Sequence, residues 1–565
     1  MTDVFRENDH FINCVLLAGA YFLQKQTAAA DKRLHLCCTG FSALLSLVFI
    51  MGYPIYTYDR FGDFLTPGQI MISIISFAGL TAVISSVLAM CIQALIPLET
   101  FFSKPLWKIW KYPAVFGFAF FLCWLPVYLA FYPGIFAYDI EMQTSQIMGL
   151  EPFTRYHPPL HNWYWQLCLW LEETLSLHAL VCYSLSQMAL LAGALAYVLY
   201  FMIKRQTGNL LLTATALFFA FNPCIALFSF NPTKDVLFAA LLAMYVIELY
   251  SFIAEKEHYS QSIPCNIRLV VTGILCCLFR NNMVYALLPA TVIMAFLLKA
   301  YWKRILLWGL CIFAGYALIN GPLYTALGVG PGNARESLSI PIQQISTVVV
   351  QHKAELTSQD LEDISLYLPL DIIEANYNPR ITDRVKVHFH TDYYEQDSST
   401  FFEVWLRLLR QYPLVYVEAF LNLNIPLWYP DAATVDPHTY ETYIATYISQ
   451  TPSCGYQPVR ESKIPWLENK YQVLASFEFF GNHPVLAKCF SINTPVWLLL
   501  FTATVLWIKK RKALIAPLVP VFLLWCTYLL GPVSIFRYVF PIMVLYPLLS
   551  VLILQSGSME PETTG

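Results

Sequence analysis

Ionisable residues stand at a few defined places in an otherwise apolar chain, and their types and spacing limit the chemistry they could do. Asp139 and Glu141 are one residue apart, shortly after Pro133-Gly134 and among aromatic residues. Two carboxylates that close can hold a metal, or one can act as a base while the other positions it. Burial would raise the pKa of such a base; a solvated loop acid is the plain alternative. His157 and His161 are four apart, a spacing that on a helix faces one side and suits a metal or a phosphate. Pro158 and Pro159 place His157 at or before a helix start, which argues against a metal pair and leaves hydrogen bonding, phosphate contact or packing. Lys234 and Asp235 follow Asn231-Pro232-Thr233, and they either cap a helix or offer Lys234 to a phosphate as a point charge. Arg280 interrupts apolar sequence, and Arg537, beside Tyr538, stands at the start of another apolar run. Each either snorkels to headgroups or faces a polar cavity. Gln343 and Gln344 follow Pro341 and could bond sugar hydroxyls or pack inside a loop.

These residues need a scaffold, and composition says which. Of 565 residues, 57% are hydrophobic and 13% charged, about half the charge of an ordinary soluble domain. Mean hydropathy is +0.54. So little charge excludes a disordered chain or an ordinary soluble protein. A net charge of −3 gives no footprint for a nucleic-acid partner. Aromatic residues reach 16%, with 35 Tyr and 14 Trp, side chains favoured at membrane interfaces. Of the 15 cysteines, Cys37, Cys38, Cys91, Cys123, Cys276 and Cys277 lie in or beside apolar runs, where a thiol behaves as a small hydrophobe. No paired CxxC spacing suggests zinc.

A bilayer span takes roughly 20 apolar residues. Twelve runs qualify: 34–52, 69–97, 113–131, 178–203, 209–230, 235–254, 267–280, 282–300, 305–325, 487–508, 513–531 and 534–554. The seventh and eighth read as two short helices meeting in a turn at Phe279–Asn282. The stretch 10–24 reads as an interfacial helix or a thirteenth span. Lys32/Arg33, Lys104/Lys108/Lys111, Lys204/Arg205, Lys256/Arg268, Lys303/Arg304 and Lys509–Lys512 fall on alternate loops. That positive-inside pattern places both termini in the cytoplasm. The expected fold is an α-helical polytopic membrane protein. An N-terminal interfacial part (1–33) leads into a bundle over 34–326 with an outer loop at 132–177. An extracytoplasmic region at 327–486 precedes three last spans over 487–565. Within that region 331–400 is expected to be a small mixed domain, and 401–429 amphipathic helices on the outer leaflet.

The order of Tyr138-Asp139, His157-Pro158-Pro159-Leu160-His161, Lys234-Asp235, Ile340-Pro341-Ile342-Gln343-Gln344 and Arg537-Tyr538 resembles a bacterial family of predicted GT-C membrane glycosyltransferases, over about 130–545. The resemblance implies a GT-C-like fold and transfer of a sugar from a polyprenyl-phosphate donor to a glycan or glycolipid acceptor. That reaction lies on the outer face of a bacterial plasma membrane. It implies Asp139 as general base, with Glu141 beside it. Glu141 departs from the DxD pattern of metal-dependent members, so a divalent cation, Mg or Mn, stays open and no metal ligands are assigned. The residues fit independently: inverting transfer needs a base for the acceptor hydroxyl and groups that stabilise the leaving phosphate. Asp139 suits the first, and Lys234, Arg280 and Arg537 the second.

Three other classes share parts of this pattern. A polymerase or ligase using a diphosphate-linked glycan would rely on outer arginines such as Arg384, Arg407 and Arg410. A lipid-linked sugar transporter or flippase would place charges near the midplane, where Glu248 comes nearest. A non-enzymatic assembly subunit would not depend on Asp139.

Overall fold

A computed structural model of the chain describes residues 31–99, 108–434, 443–449 and 454–559, with Gly19 and Lys25. The stretch 10–24, apart from Gly19, and Lys104 lie outside the described residues. The architecture is helical: α1 (Lys32–Tyr58), α2 (Pro67–Leu95), α3 (Pro113–Ala130), α4 (Ile140–Ile147), α5 (Pro159–Leu175), α6 (Ala179–Lys204), α7 (Asn209–Phe221), α8 (Pro223–Ser229), α9 (Lys234–Ala254), α10 (Lys256–Gln261), α11 (Ile263–Phe279), α12 (Asn282–Leu297) and α13 (Trp302–Leu318). An inserted domain holds α14 (Ser339–His352), α15 (Ser358–Tyr367), α16 (Asp383–Lys386), α17 (Ser398–Gln411) and α18 (Pro413–Leu423). The chain then runs through α19 (Pro465–Ala475), α20 (Thr494–Ile508), α21 (Val519–Tyr528), α22 (Phe536–Met543) and α23 (Tyr546–Leu554).

Among the described residues six helical runs are long and apolar enough to cross a membrane, and eight if the bent pairs α7–α8 and α22–α23 each count as one. The protein is a multi-pass helical membrane protein. Its surface agrees: Met71, Ile74 and Ile75 of α2 and Val115 and Phe118 of α3 are exposed, as lipid-facing side chains are. α9 is apolar on all sides and almost entirely buried, so it is the centre of the bundle. α6, α11 and α22 pack directly on it, and α3 on α6 and α12 on α21 extend the same continuous core.

Local signals explain several boundaries. Pro stands in the first turn of α3, α5, α8 and α11, where its missing N–H costs nothing. Asn222 breaks the α7–α8 run: its side chain accepts from the N–H groups of Cys224 (2.9 Å) and Ile225 (3.2 Å), and the axis bends by 51°. The expected seventh and eighth runs are α11 and α12, 17 and 16 residues long, meeting at Arg280-Asn281.

The bundle has two ends. At one, Lys204 and Arg205 pair with Glu255, and Lys509 and Arg511 pair with Glu99. The starts of α1 and the ends of α2, α20 and α23 pack together there. At the other end the loops after α3, α8, α11 and α21 converge, and the inserted domain sits against them. Arg380 donates to the Tyr56 carbonyl (2.9 Å), and Asn422 to that of Asp59 (2.8 Å). The buried Glu418 carboxylate accepts the Phe61 N–H at 2.7 Å.

Residues 331–400 are not a mixed domain. Among the described residues there is no strand, only three isolated bridges, Phe136–Ile448, Thr154–Gly330 and Ile381–Val533. The β-branched run Thr347–Val350 lies on helix α14, because Val348 and Val349 are buried against neighbouring helices. Packing outweighs intrinsic strand preference there.

Candidate functional site

The site grows from the chain that leaves α3. Gly134 has φ +147, and a Cβ there would lie 2.7 Å from Ser184 Oγ, so only glycine fits the turn. Phe136 pairs with the segment at 447–449: its carbonyl accepts the Ser449 N–H at 2.7 Å. Tyr138 follows in a left-handed conformation (φ +61), which is strained for a bulky side chain. The Ala445 N–H donates to its hydroxyl (2.7 Å), and its ring lies 4.8 Å under the Arg537 guanidinium. Asp139 comes next, immediately before α4.

α4 is fixed on α5 by buried side-chain bonds. Asn162 donates to Gln146 Oε1 (2.9 Å), and Trp165 Nε1 donates to Thr144 Oγ1 (2.9 Å). His161 lies 3.0 Å from Gln143 Oε1 through Nδ1 and 2.7 Å from the Tyr183 hydroxyl through Nε2. Tyr183 in turn donates to Gln187 Oε1 (2.8 Å), and Gln187 Nε2 donates to the carbonyls of Phe228, Ser229 and Asn231. Since the Tyr183 proton goes to Gln187, His161 donates from Nε2 and accepts at Nδ1. The Gln143 amide then offers its NH2 group to that nitrogen, which also satisfies the amide nitrogen left without a partner in the opposite orientation. This chain of bonds joins the α4–α5 layer to the turn that starts α9.

At that turn Thr233, not Asp235, is the cap: its side-chain oxygen accepts the Asp235 N–H at 3.4 Å. Lys234 Nζ reaches Asp139 Oδ2 at 2.9 Å. Arg537 Nη1 stands 3.2 Å from the same oxygen, and His157 Nδ1 3.7 Å from it. The side chains of Asp139, Lys234 and Arg537 are 19%, 20% and 13% exposed, so the cluster is recessed yet reachable.

Electrostatics at Asp139 reverse the expectation of a raised pKa. Burial pushes its carboxyl up and is the largest single influence. Arg537, Lys234 and His157, with the Lys234 hydrogen bond, together outweigh it and hold the group well below the usual carboxylate range. Burial pushes His157 down to about 3, against the pull of Asp139, with Lys234 and Arg537 adding to the fall. Burial does the same to His161, also to about 3. Both rings are neutral at pH 7. Two cations therefore face one carboxylate, and the cluster carries one surplus positive charge.

Arg280 is not a snorkelling residue. It is buried, ion-paired to Asp235, and its guanidinium lies 4.8 Å from the Tyr528 ring and 5.0 Å from the Tyr538 ring. It stands behind Lys234 and shares Tyr538 with Arg537, whose guanidinium lies 5.5 Å from that ring. Glu141 lies in the first turn of α4, partly buried. His157, just before α5, has Nε2 3.3 Å from Met142 Sδ, and its Nδ1 makes no hydrogen bond among the described residues. Gln343 and Gln344 do not reach the cluster as ligands. Gln343 donates to the Asn378 carbonyl (2.8 Å) and accepts from Thr382 (3.0 Å). Gln344 donates to the Tyr416 carbonyl (3.2 Å) and accepts from Trp405 (2.8 Å). Both are buried, and their amides hold the inserted domain together.

The inserted domain reaches the cluster through Thr382, whose N–H donates to the Pro532 carbonyl (2.8 Å) just before α22. Next to it the buried Lys386 pairs with Asp383 (2.8 Å) and Glu336 (2.7 Å). Tyr156 feels burial first, then the charges of Glu336, Asp139 and Asp383, all of which push its hydroxyl up. Sequence reasoning passed over Tyr156, Glu336, Asp383 and Lys386. Asp383 and Lys386 are three apart on one helical turn, but no spacing rule joins them to Glu336 or to Tyr156. Arg407, a candidate for diphosphate binding, is engaged by Asp360 (2.8 Å) and Asp363 (2.7 Å). Among the described residues no three His, Cys, Asp or Glu side chains are grouped to hold a metal ion.

A family model described as a family of unknown function, DUF6020, matches residues 174–563. The chain belongs to the DUF6020 family. The DUF6020 match contains Lys234, Arg280 and Arg537, while the Asp139 loop and both site histidines precede it. No curated protein and no solved structure matches the chain.

Proposed function

We propose that this DUF6020 protein is a membrane glycosyltransferase of GT-C type, which moves a sugar from a polyprenyl-phosphate carrier to a glycan or glycolipid acceptor on the extracytoplasmic face of a bacterial plasma membrane. The observation that carries the reading is the convergence of Lys234 and Arg537 on one oxygen of a partly exposed Asp139 at the mouth of a helix bundle. A surplus cation in a recessed, tyrosine-lined site suits a phosphate on a membrane anchor.

The same geometry suggests how the base is switched on. In the resting site Asp139 is a weak base, because two cations stabilise its charge. A donor phosphate competes for Lys234 and Arg537. As those ion pairs loosen, burial dominates and the carboxylate becomes more basic. The acceptor hydroxyl oxygen then bonds to the sugar C1 and its proton passes to Asp139. The bond from C1 to the phosphate oxygen breaks, with its electron pair leaving on the phosphate, where the two cations stabilise it.

For topology we infer twelve crossings. α11, α12, α20 and the helical stretch from Lys512 to Tyr528 are short but apolar, and they join the eight longer runs. This count keeps the Lys204, Arg268, Arg304 and Lys509 ends on the cytoplasmic side and the Asp139 cluster outside.

The test uses purified protein in proteoliposomes and a panel of undecaprenyl-phosphate sugars with candidate acceptors. Release of undecaprenyl phosphate is followed for wild type and Asp139→Asn, with and without EDTA. Release by wild type alone is the expected result, and the EDTA arm reports any metal requirement. Equal release by Asp139→Asn removes the base assignment. No release from any donor shifts the reading to a diphosphate-linked polymerase or ligase, or to a transporter.

A further inference from the structure

A cavity lined by cations lies at the other end of the molecule. α9 is 21 residues long, so its far end is about 30 Å from Lys234. There the turn between α12 and α13 borders a cavity of about 720 Å³ against Ser260 and Asn266. Its lining holds three cations, Lys299, Lys303 and Arg304, and no carboxylate. The nearest acid in sequence on that side, Glu257, is outside the lining, and Glu255 is engaged by Lys204 and Arg205.

Two features separate this place from a plain basic loop. Lys303 and Arg304 lie in the first turn of α13, where the helix dipole disfavours cations and favours an anion. The cavity also has built walls. Arg304 donates to the Ser260 carbonyl, and Trp308 Nε1 donates to Asn266 Oδ1 at 2.7 Å. Trp302 and Leu307 are exposed at its rim, apolar surface that suits acyl chains, while Lys303 Nζ lies 5.7 Å from the Trp302 ring centre.

We propose that this cavity binds the phosphate headgroup of an anionic phospholipid from the surrounding leaflet. The cations meet the phosphodiester, the first-turn amides of α13 add to the attraction, and the exposed Trp302 and Leu307 lie against the chains. The site is independent of the Asp139 cluster and of its proposed reaction.

The experiment is native mass spectrometry of the full chain, released from nanodiscs, with dioleoyl-phosphatidylglycerol titrated against dioleoyl-phosphatidylcholine. Lys299→Gln/Lys303→Gln keeps the Arg304 bond to Ser260 and so protects the fold. The expected result is preferential retention of phosphatidylglycerol by wild type and a loss of about tenfold or more in that variant. Lys32→Gln/Lys512→Gln, at the same end but outside the cavity, should retain the lipid. Three results overturn the proposal: equal retention of both lipids, an equal loss in the control variant, or full displacement of the lipid by millimolar inorganic phosphate. The last identifies a free-phosphate site.

Discussion

α9 has a carboxylate cluster at or beside each end, and the two are built differently. Near its far end Glu248 is fully buried and saturated. It accepts from Tyr197 (2.6 Å) and Tyr259 (2.7 Å) and pairs with Arg268 Nε (2.5 Å). At the near end Asp139 receives both Lys234 and Arg537 on a single oxygen, and all three side chains keep some exposure. The first arrangement uses its donors to neutralise a buried charge and offers no route in. The second leaves charge that an arriving anion can claim. The closed cluster serves the fold; in the proposed function the open one serves binding.

The sharpest way to break this contrast is Asp139→Asn. It should lower sugar transfer by about two to four orders of magnitude while thermal unfolding in detergent stays close to wild type. A large loss of stability would make Asp139 a structural acid like Glu248. The converse is Glu248→Ala, which should cost about 3 kcal/mol, because Tyr197, Tyr259 and Arg268 lose their common acceptor. Unfolding midpoints read that effect, and binding of undecaprenyl phosphate should be unchanged. A parallel fall in binding would show that the two ends are coupled.

Smaller effects sharpen the comparison. Lys234→Ala and Arg537→Ala should each weaken undecaprenyl-phosphate binding by about tenfold or more. Asp139→Asn should strengthen it, since the carboxylate no longer competes for the same cations. Equal binding by all three variants would return these cations to a purely structural role.

A separate readout is pH. His157 and His161 have folded pKa values of about 3 against an ordinary 6.5. Their contribution to stability is therefore complete above about pH 6.5 and is lost as pH falls towards 3. Asp139 is depressed below 3.8, so its contribution is present above that value and is lost only as pH falls through its lower folded pKa. A His157→Gln/His161→Gln variant should flatten the stability profile between pH 6.5 and 4 and leave the lower limb. An unchanged slope in that window would remove the histidines as its source.

Much of the site is legible in the sequence because charge is rare there. An Asp, a Lys or an Arg at the border of an apolar run is conspicuous, and Asp139, Lys234, His157 and Arg537 are brought together. Arg280 is equally conspicuous, but its role depends on facing Asp235 and two tyrosine rings, which no local pattern encodes. Gln343 and Gln344 attract notice as adjacent amides after a proline, yet their partners Asn378, Thr382, Trp405 and Tyr416 are remote in the chain. Gln187 and Tyr183 pass as ordinary residues of a long apolar helix. The inserted domain misleads for a related reason. Its helices are short, several start after Pro, Thr or Asp, and their stability comes from mutual packing rather than from a long periodic pattern.

Gln187 has a thermodynamic consequence. One amide nitrogen is shared among the carbonyls of Phe228, Ser229 and Asn231, so the corner that leads into Lys234 is stitched to α6 before any ligand arrives. The backbone there has little freedom left to surrender on association. Calorimetry should register anion capture at this corner with a small entropic penalty, and Gln187→Leu should enlarge that penalty more than it changes the enthalpy of contact.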